Sequence, residues 1–207
     1  MAEDVRAAGG ILGLVFAGGS SRRFGSDKAL AVLGGTTLIE RVIARATPQV
    51  DLLALNGPAH RAARGLLVIP DEAPGEGPLG SILAGLRWAR SHGFDMVATF
   101  PCDAPFFPHD LVARLRQARG DGVDCTMARH GGDTQFAFAL FVVTCADRLT
   151  AAYAVGERSL KAMRNVLRCG YADFSDCDDG PGGDAFFNIN QPDDLAAAER
   201  WLDRSRP

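Results

Sequence analysis

The sequence predicts an α/β fold in which a mostly parallel sheet carries helices on both faces. Three observations lead there. Apolar strand-like runs alternate with amphipathic helical stripes through the first half of the chain. A glycine-rich loop directly follows the first of those strands. An aspartate between two prolines follows another. Alternation of this kind is the pattern of βαβ units, and open sheets built from them bind ligands at the carboxyl ends of their strands.

Ile11–Phe16 is an uninterrupted apolar run and reads as the first strand. Leu38–Ala46 has apolar residues at 38, 39, 42, 43 and 46, a helical stripe. Asp51–Asn56 and Leu66–Pro70 are short strands, and Leu79–His92 is a helix that partly buries Ile82, Leu83, Leu86 and Trp88. Asp95–Phe100 is a fourth strand, and Pro108–Arg119 a helix with His109 and Asp110 near its cap. The second half is less regular. Asp124–Arg129, Gln135–Val143 and Gly170–Ser175 read as strands, and Cys145–Ala154 and Ser159–Arg168 as helices. Asp176–Asp184, acidic and glycine-rich, reads as a mobile loop. Phe187–Pro192 reads as a late strand feeding a terminal helix over Pro192–Asp203. Pro192 suits the first helical position there, and Asp193 and Asp194 suit the positive end of the helix dipole.

At 207 residues, without an internal repeat or a clear linker, the chain is expected to form a single domain over residues 1–207. Hydrophobic content of 47% and charged content of 23% are ordinary for a globular protein. A net charge of −3 argues against a general nucleic-acid binder, so any anion site must rest on local charge. Five cysteines, odd in number and without a Cys-x-x-Cys pair, suit a reducing compartment, and scattered histidines exclude zinc-site spacing. The apolar Ile11–Gly19 run is too short, and too close to Glu3 and Asp4, for a signal peptide. No apolar run approaches the roughly 20 residues of a membrane span, so no membrane partner and a cytoplasmic location are expected.

The segment Phe16-Ala17-Gly18-Gly19-Ser20-Ser21-Arg22-Arg23-Phe24-Gly25-Ser26-Asp27-Lys28 suits a polyphosphate. Glycines let backbone N–H groups approach phosphate oxygens, and Arg22, Arg23 and Lys28 add positive charge. It is neither a Walker A loop, which ends Gly-Lys-Ser/Thr, nor a Gly-x-Gly-x-x-Gly dinucleotide fingerprint. Asp103, in Pro101-Cys102-Asp103-Ala104-Pro105, follows a strand and is placed to face the same phosphates. A carboxylate beside phosphates points to Mg²⁺, against the plainer reading as a turn aspartate. Asp71 and the Gly77-Pro78-Leu79-Gly80 segment follow another strand and open a helix, where backbone groups can meet an anion or a base. Asn56 reads equally as a ribose or base contact and as a turn asparagine before Gly57-Pro58. Asn188 and Asn190 share one side of the late strand, so that one could help ligate a metal; helix-start chemistry explains them as well. No nucleophile stands out, and Cys102, beside Asp103, is read as structural.

Together these residues resemble the molybdenum cofactor guanylyltransferases, within the broader nucleotidyltransferase superfamily. The resemblance rests on Ala17-Gly18-Gly19, the Arg23-x-Gly25-x-Asp27-Lys28 ending, Gly-Pro-Leu-Gly at 77–80, Pro-Cys-Asp-x-Pro at 101–105 and Asn-x-Asn-x-Pro at 188–192, and spans nearly the whole chain. It implies a Rossmann-like three-layer α/β/α nucleotidyltransferase fold, with residues of about 11–120 as the nucleotide-binding half and about 121–207 as the acceptor-side half. It also implies Mg²⁺-dependent transfer of GMP from GTP to the phosphate of the molybdopterin cofactor, with release of pyrophosphate. Implied partners are GTP, that cofactor, and cofactor-delivery or molybdoenzyme maturation proteins. The implied GTP site comprises Phe16, Ala17, Gly18, Gly19, Lys28, Asn56, Asp71, Gly80 and Asp103, with Arg23, Lys28 and Asp103 in the chemistry and Asp103 on the metal. A cofactor cytidylyltransferase and a non-catalytic nucleotide-binding protein are the rival readings. The chain departs from the family pattern at Phe24, usually methionine, at Gln191, usually threonine, and at Gln135-Phe136, often His-Pro or a similar pair.

Overall fold

The computed structural model describes residues 9–16, 28–57, 65–70 and 77–205. Its centre is strand β1 (Ile11–Phe16), buried at all six positions, as expected of an apolar run inside a parallel sheet. Helix α1 (Leu38–Ala46) starts at a capping box that its sequence spells. Thr37 Oγ1 accepts from the Glu40 amide at 3.3 Å, and Glu40 Oε2 accepts from the Thr37 amide at 3.1 Å. Strands β4 (Leu52–Asn56) and β5 (Leu67–Ile69), helix α2 (Pro78–Ser91) and strand β6 (Met96–Pro101) follow. The rest of the chain adds α3 (Leu111–Gln117), β7 (Cys125–His130), β8 (Asp133–Val142), α4 (Ala146–Ala154), β9 (Cys169–Asp173) and α5 (Pro192–Ser205).

The seven-stranded sheet has the order β5-β4-β1-β6-β8-β7-β9. Pairing is parallel except on the two sides of β8, which runs antiparallel to both β6 and β7. Alternate side chains of β1 enter two cores. Ile11 and Val15 pack with α1 and α3 on one face, while Leu12, Leu14 and Phe16 pack with α2 and α4 on the other. The three-layer α/β/α arrangement expected of the sequence is therefore present.

A smaller cluster of Leu33, Leu38, Phe106, Ile189 and Ala198 joins α5 to a short hairpin, β2 (Val32–Leu33) with β3 (Thr36–Thr37). Sequence reading missed this hairpin, although Gly34-Gly35 is a strong two-residue turn signal; both glycines adopt positive φ, 57° and 81°.

Four other expectations are corrected. Residues 159–168 do not form a helix: only a 3₁₀ turn, Lys161–Asn165, forms. The chain must leave that turn because Arg168 is drawn to the sheet, where its amide donates to Asp124 Oδ2 at 2.9 Å and its carbonyl accepts from the Asp124 amide at 2.8 Å. Helix α3 starts at Leu111, and neither His109 nor Asp110 supplies a side-chain cap. The segment 187–190 is not a strand, since its Ile189 amide makes one bond to the Asp103 carbonyl rather than a ladder. The 176–184 segment is anchored by Arg114 on Asp176 and contains a 3₁₀ turn, Pro181–Gly183.

At the far end of the sheet from the ligand edge, buried Asp124 gathers Arg148, the Arg168 guanidinium and the Arg168 amide. Burial pushes its pKa up, but the hydrogen bonds from Arg168 and the charge of Arg148 outweigh burial and hold the carboxyl below its ordinary value. A depressed native pKa gives stability that is present above the unfolded value, about 3.9, and is lost as pH falls through the lower native value. Asp124→Asn leaves two arginines without their anion and is expected to lower stability at pH 7 by about 2–4 kcal/mol. Urea unfolding at pH 7 and pH 3 checks this: the gap between wild type and variant should shrink at the lower pH.

Candidate active site

The strand order reverses at β1. The chain passes from β1 to β4 and β5 on one side, and α2 then carries it back to β6 on the other. At such a switch point the carboxyl ends of the two central strands flank a crevice. Phe16 ends β1 and stands in register with Asn56 of β4 and Pro101 of β6, while Asn56 is opposite Ile69 of β5. One row of residues thus marks the ligand edge.

Three sequence-predicted side chains meet there. Lys28 Nζ donates to Asp103 Oδ2 at 2.6 Å and to Asn190 Oδ1 at 2.9 Å. Lys28 begins a 3₁₀ turn after the glycine-rich loop, Asp103 lies two residues beyond β6, and Asn190 precedes α5. The Lys28 and Asp103 side chains keep 18% and 19% of their surface exposed, so both remain reachable from solvent. The Ile189 amide donates to the Asp103 carbonyl at 2.8 Å, which ties the last segment to the aspartate's own turn. Asp194 Oδ2 accepts from the amides of Asn190 at 2.8 Å and Gln191 at 2.9 Å. Its predicted role was a favourable charge at the helix start; it also fixes the backbone that presents Asn190.

Asn188 is not part of this group: its amide nitrogen turns to the Phe186 carbonyl at 3.1 Å. Asn56 is fully buried. Its Nδ2 donates to the Ile69 carbonyl at 3.1 Å, and its Oδ1 has no partner among the described residues, an acceptor left open at the edge. Gly80 is buried in the first turn of α2, which begins at Pro78 without a side-chain cap. Ala17, Gly18, Gly19, Arg23 and Asp71 lie outside the described residues.

Four of the five thiols, Cys125, Cys145, Cys169 and Cys177, are held above their ordinary pKa, chiefly by burial, and so are not primed for nucleophilic work. Burial pushes Cys125 well above its ordinary pKa and Cys145 up to about 12. The chemistry open to this edge is electrostatic: a cation, a carboxylate and an amide oxygen converge at the crevice. A separate open cavity of about 710 Å³, lined in part by Gln49, His109 and Arg116, includes Ile11 and so lies at the opposite end of β1.

The turn before Asn190 is held tightly. His130 Nε2 donates to the Cys177 carbonyl at 3.0 Å, and Asp184 Oδ1 lies 3.3 Å from His130 Nδ1 and accepts from the Phe186 amide at 2.8 Å.

Residues 13–171 match the family described as MobA-like NTP transferase domain. A molybdenum cofactor guanylyltransferase of Cereibacter sphaeroides is 43% identical over 93% of this chain and 97% of its own length. A protein of the same name from Rhizobium meliloti is 40% identical over 91% and 90%. The crystal structure of molybdopterin-guanine dinucleotide biosynthesis protein A from Archaeoglobus fulgidus superposes with a TM-score of 0.76 at 25% identity, covering 93% of this chain and 99% of that one.

Gly180 should be intolerant of any side chain, because an added Cβ would stand 2.0 Å from the Asp184 carbonyl oxygen. Gly180→Ala is expected to cost about 1–3 kcal/mol by overpacking and to loosen the turn leading to Asn190. A lowered urea midpoint with faster proteolytic cleavage between residues 176 and 187 would agree; unchanged values would not.

Proposed function

Since the chain belongs to the MobA-like NTP transferase family, we propose that it transfers GMP from GTP to the phosphate of the molybdenum–molybdopterin cofactor, forming the guanine dinucleotide cofactor and releasing pyrophosphate. The observation that carries this reading is the convergence of Lys28, Asp103 and Asn190 at the β1/β6 switch point. The two relatives' names and the likeness to the archaeal protein agree with it.

An oxygen of the acceptor phosphate attacks the α-phosphorus of GTP. A P–O bond forms, and the bond to the bridging oxygen of the β-phosphate breaks, with its electron pair leaving on pyrophosphate. The attacking oxygen is already ionised, so no general base is required. Both reactants are anions, and the protein's task is to neutralise and align them. Lys28 supplies a cation whose position is set in advance by Asp103 and Asn190, and donates to the phosphates of the donor. Arg23, carried by the loop that precedes Lys28 in sequence, adds a second positive charge for the leaving pyrophosphate. The unpaired Asn56 Oδ1 accepts from the nucleoside. Asp71, Gly80 and the backbone of Phe16, Ala17, Gly18 and Gly19 complete the GTP contacts.

Mg²⁺ suits this edge. It is typically held by one or two carboxylates together with substrate phosphates, and Asp103 with the Asn190 amide oxygen is a hard oxygen pair of that kind. When bound, the ion withdraws charge from the α-phosphate. No helix among the described residues is long and apolar enough to cross a membrane, and we place the protein in the cytoplasm, where its free cysteines stay reduced.

Incubating the protein with Mg²⁺, molybdopterin cofactor and each of the four NTPs tests the reading. Pyrophosphate should appear with GTP and only when the pterin is present; release with CTP instead would refute guanylyl transfer. Lys28→Ala and Asp103→Ala are each expected to lower the rate by about 10²–10³, the loss typical of removing one electrostatic stabiliser. A near-normal rate for either, measured by the same release, would remove that residue from the chemistry.

A further inference from the structure

The acceptor half carries a group of cations and aromatic rings that the GTP site does not use. Arg129 of β7 holds its guanidinium carbon 4.2 Å from the ring centre of Tyr171 on β9. Arg164, on the 3₁₀ turn after α4, holds its own 5.2 Å from the ring of Phe136 on β8. Phe136 and Tyr171 pack against the same core as α2 and are only partly buried.

Several arginines of the chain are neutralised. Arg148 and Arg168 share Asp124, Arg114 pairs with Asp176, and Arg90 pairs with Asp147 of α4. Arg129 and Arg164 have no carboxylate partner among the described residues, in a chain whose net charge is negative. Arg129 Nε is moreover buried with no hydrogen-bond acceptor among those residues. A buried charged donor left unpaired is costly and calls for an acceptor from elsewhere.

The position fits a ligand. Strands β7 and β9 run in the direction of β1, so Arg129 stands toward the carboxyl end of β7, with Tyr171 midway along β9; β8 runs the other way and starts at that same edge. Thr99 of β6 donates to the carbonyl of Ala137 at 2.9 Å, which puts Phe136 next to the end of β6, about one strand spacing of 4.8 Å from where the chain leaves for Asp103.

We propose that Arg129, Tyr171, Phe136 and Arg164 form the platform that binds the acceptor, a planar heteroaromatic phosphate ester. The flat ring system stacks on the aromatic and guanidinium faces, and the Arg129 guanidinium donates to an anionic oxygen of the acceptor. The acceptor phosphate is thereby directed toward the crevice at Asp103. This inference rests on the reading of the chain as a transferase to a pterin phosphate.

The test is equilibrium binding of molybdopterin, together with steady-state kinetics at saturating GTP, for wild type, Arg129→Met, Arg164→Gln and the double variant. Each lost guanidinium is expected to raise the acceptor Kd and KM about 10-fold or more, with the KM for GTP unchanged within about twofold. Arg164 lies on an exposed turn, so its variant decides the matter even if Arg129→Met fails to fold. Unchanged acceptor binding in Arg164→Gln and in every other variant that folds, or a GTP KM that rises in step with the acceptor KM, would overturn the platform. Failure of the functional reading is distinct: wild type would transfer GMP to no pterin. Binding then still decides, since molybdopterin held by wild type and lost in the variants supports the platform, and no binding by wild type overturns it.

Discussion

The contact between Lys28 Nζ and Asp103 Oδ2 joins two points 75 residues apart in the chain, one just beyond the first loop and one just beyond β6. It forms only if β1 and β6 lie side by side and parallel, so that both chains emerge at one edge. The order reversal at β1 ensures this, and the two cores on either face of β1 hold it there. A lysine and a carboxylate brought together, both partly exposed, form a site of balanced charge that an incoming polyphosphate can enter. In the proposed reaction the ammonium serves the phosphates and the carboxylate a cation.

The remainder of the chain supports that edge from two directions. The C-terminal segment returns to it: Ile189 bonds to the Asp103 carbonyl, Asn190 meets Lys28, and Asp194 at the start of α5 fixes the turn between them. The hairpin β2–β3 is tied to α5 by the Gly34 amide, which donates to Glu199 at 2.9 Å, so the residues that follow Lys28 and the helix that follows Asn190 are braced together. From the other side, Asp124 gathers Arg148 and Arg168 at the base of β7, and the strands β7, β8 and β9 extend the sheet to where the unpaired arginines stand. Charges at the base are satisfied within the chain, and at the ligand edge Lys28 is paired with Asp103, whereas Arg129 and Arg164 have no carboxylate partner among the described residues.

Much of this was legible in the sequence, for reasons that differ by element. β1 and α1 match their predicted bounds, because an apolar run and a capped amphipathic stripe are local signals. Lys28, Asp103 and Asn190 were all singled out, yet nothing local says that they touch; the strand order brings them together. The antiparallel entry of β8 was not legible, since strand patterning carries no direction. Residues 159–168 have a helical stripe, but the long-range pull of Asp124 on Arg168 overrides it. Asn188 and Asn190 were assigned to one side of a strand that does not form, and only Asn190 faces Lys28. Arg129 and Arg164 went unnoticed because their meaning lies in having aromatic rings and no carboxylate partner among the described residues, which only the folded chain reveals.

If Lys28 and Asp103 act as one unit on the phosphates, their losses should not multiply. The most direct measurement is a double-mutant cycle on the rate of GMP transfer, with Lys28→Ala, Asp103→Ala and the two combined. Coupled action predicts that the double variant is about as slow as the slower single variant. A double variant slowed by the product of the two single losses would mean that the residues act independently, and would contradict the account of this edge.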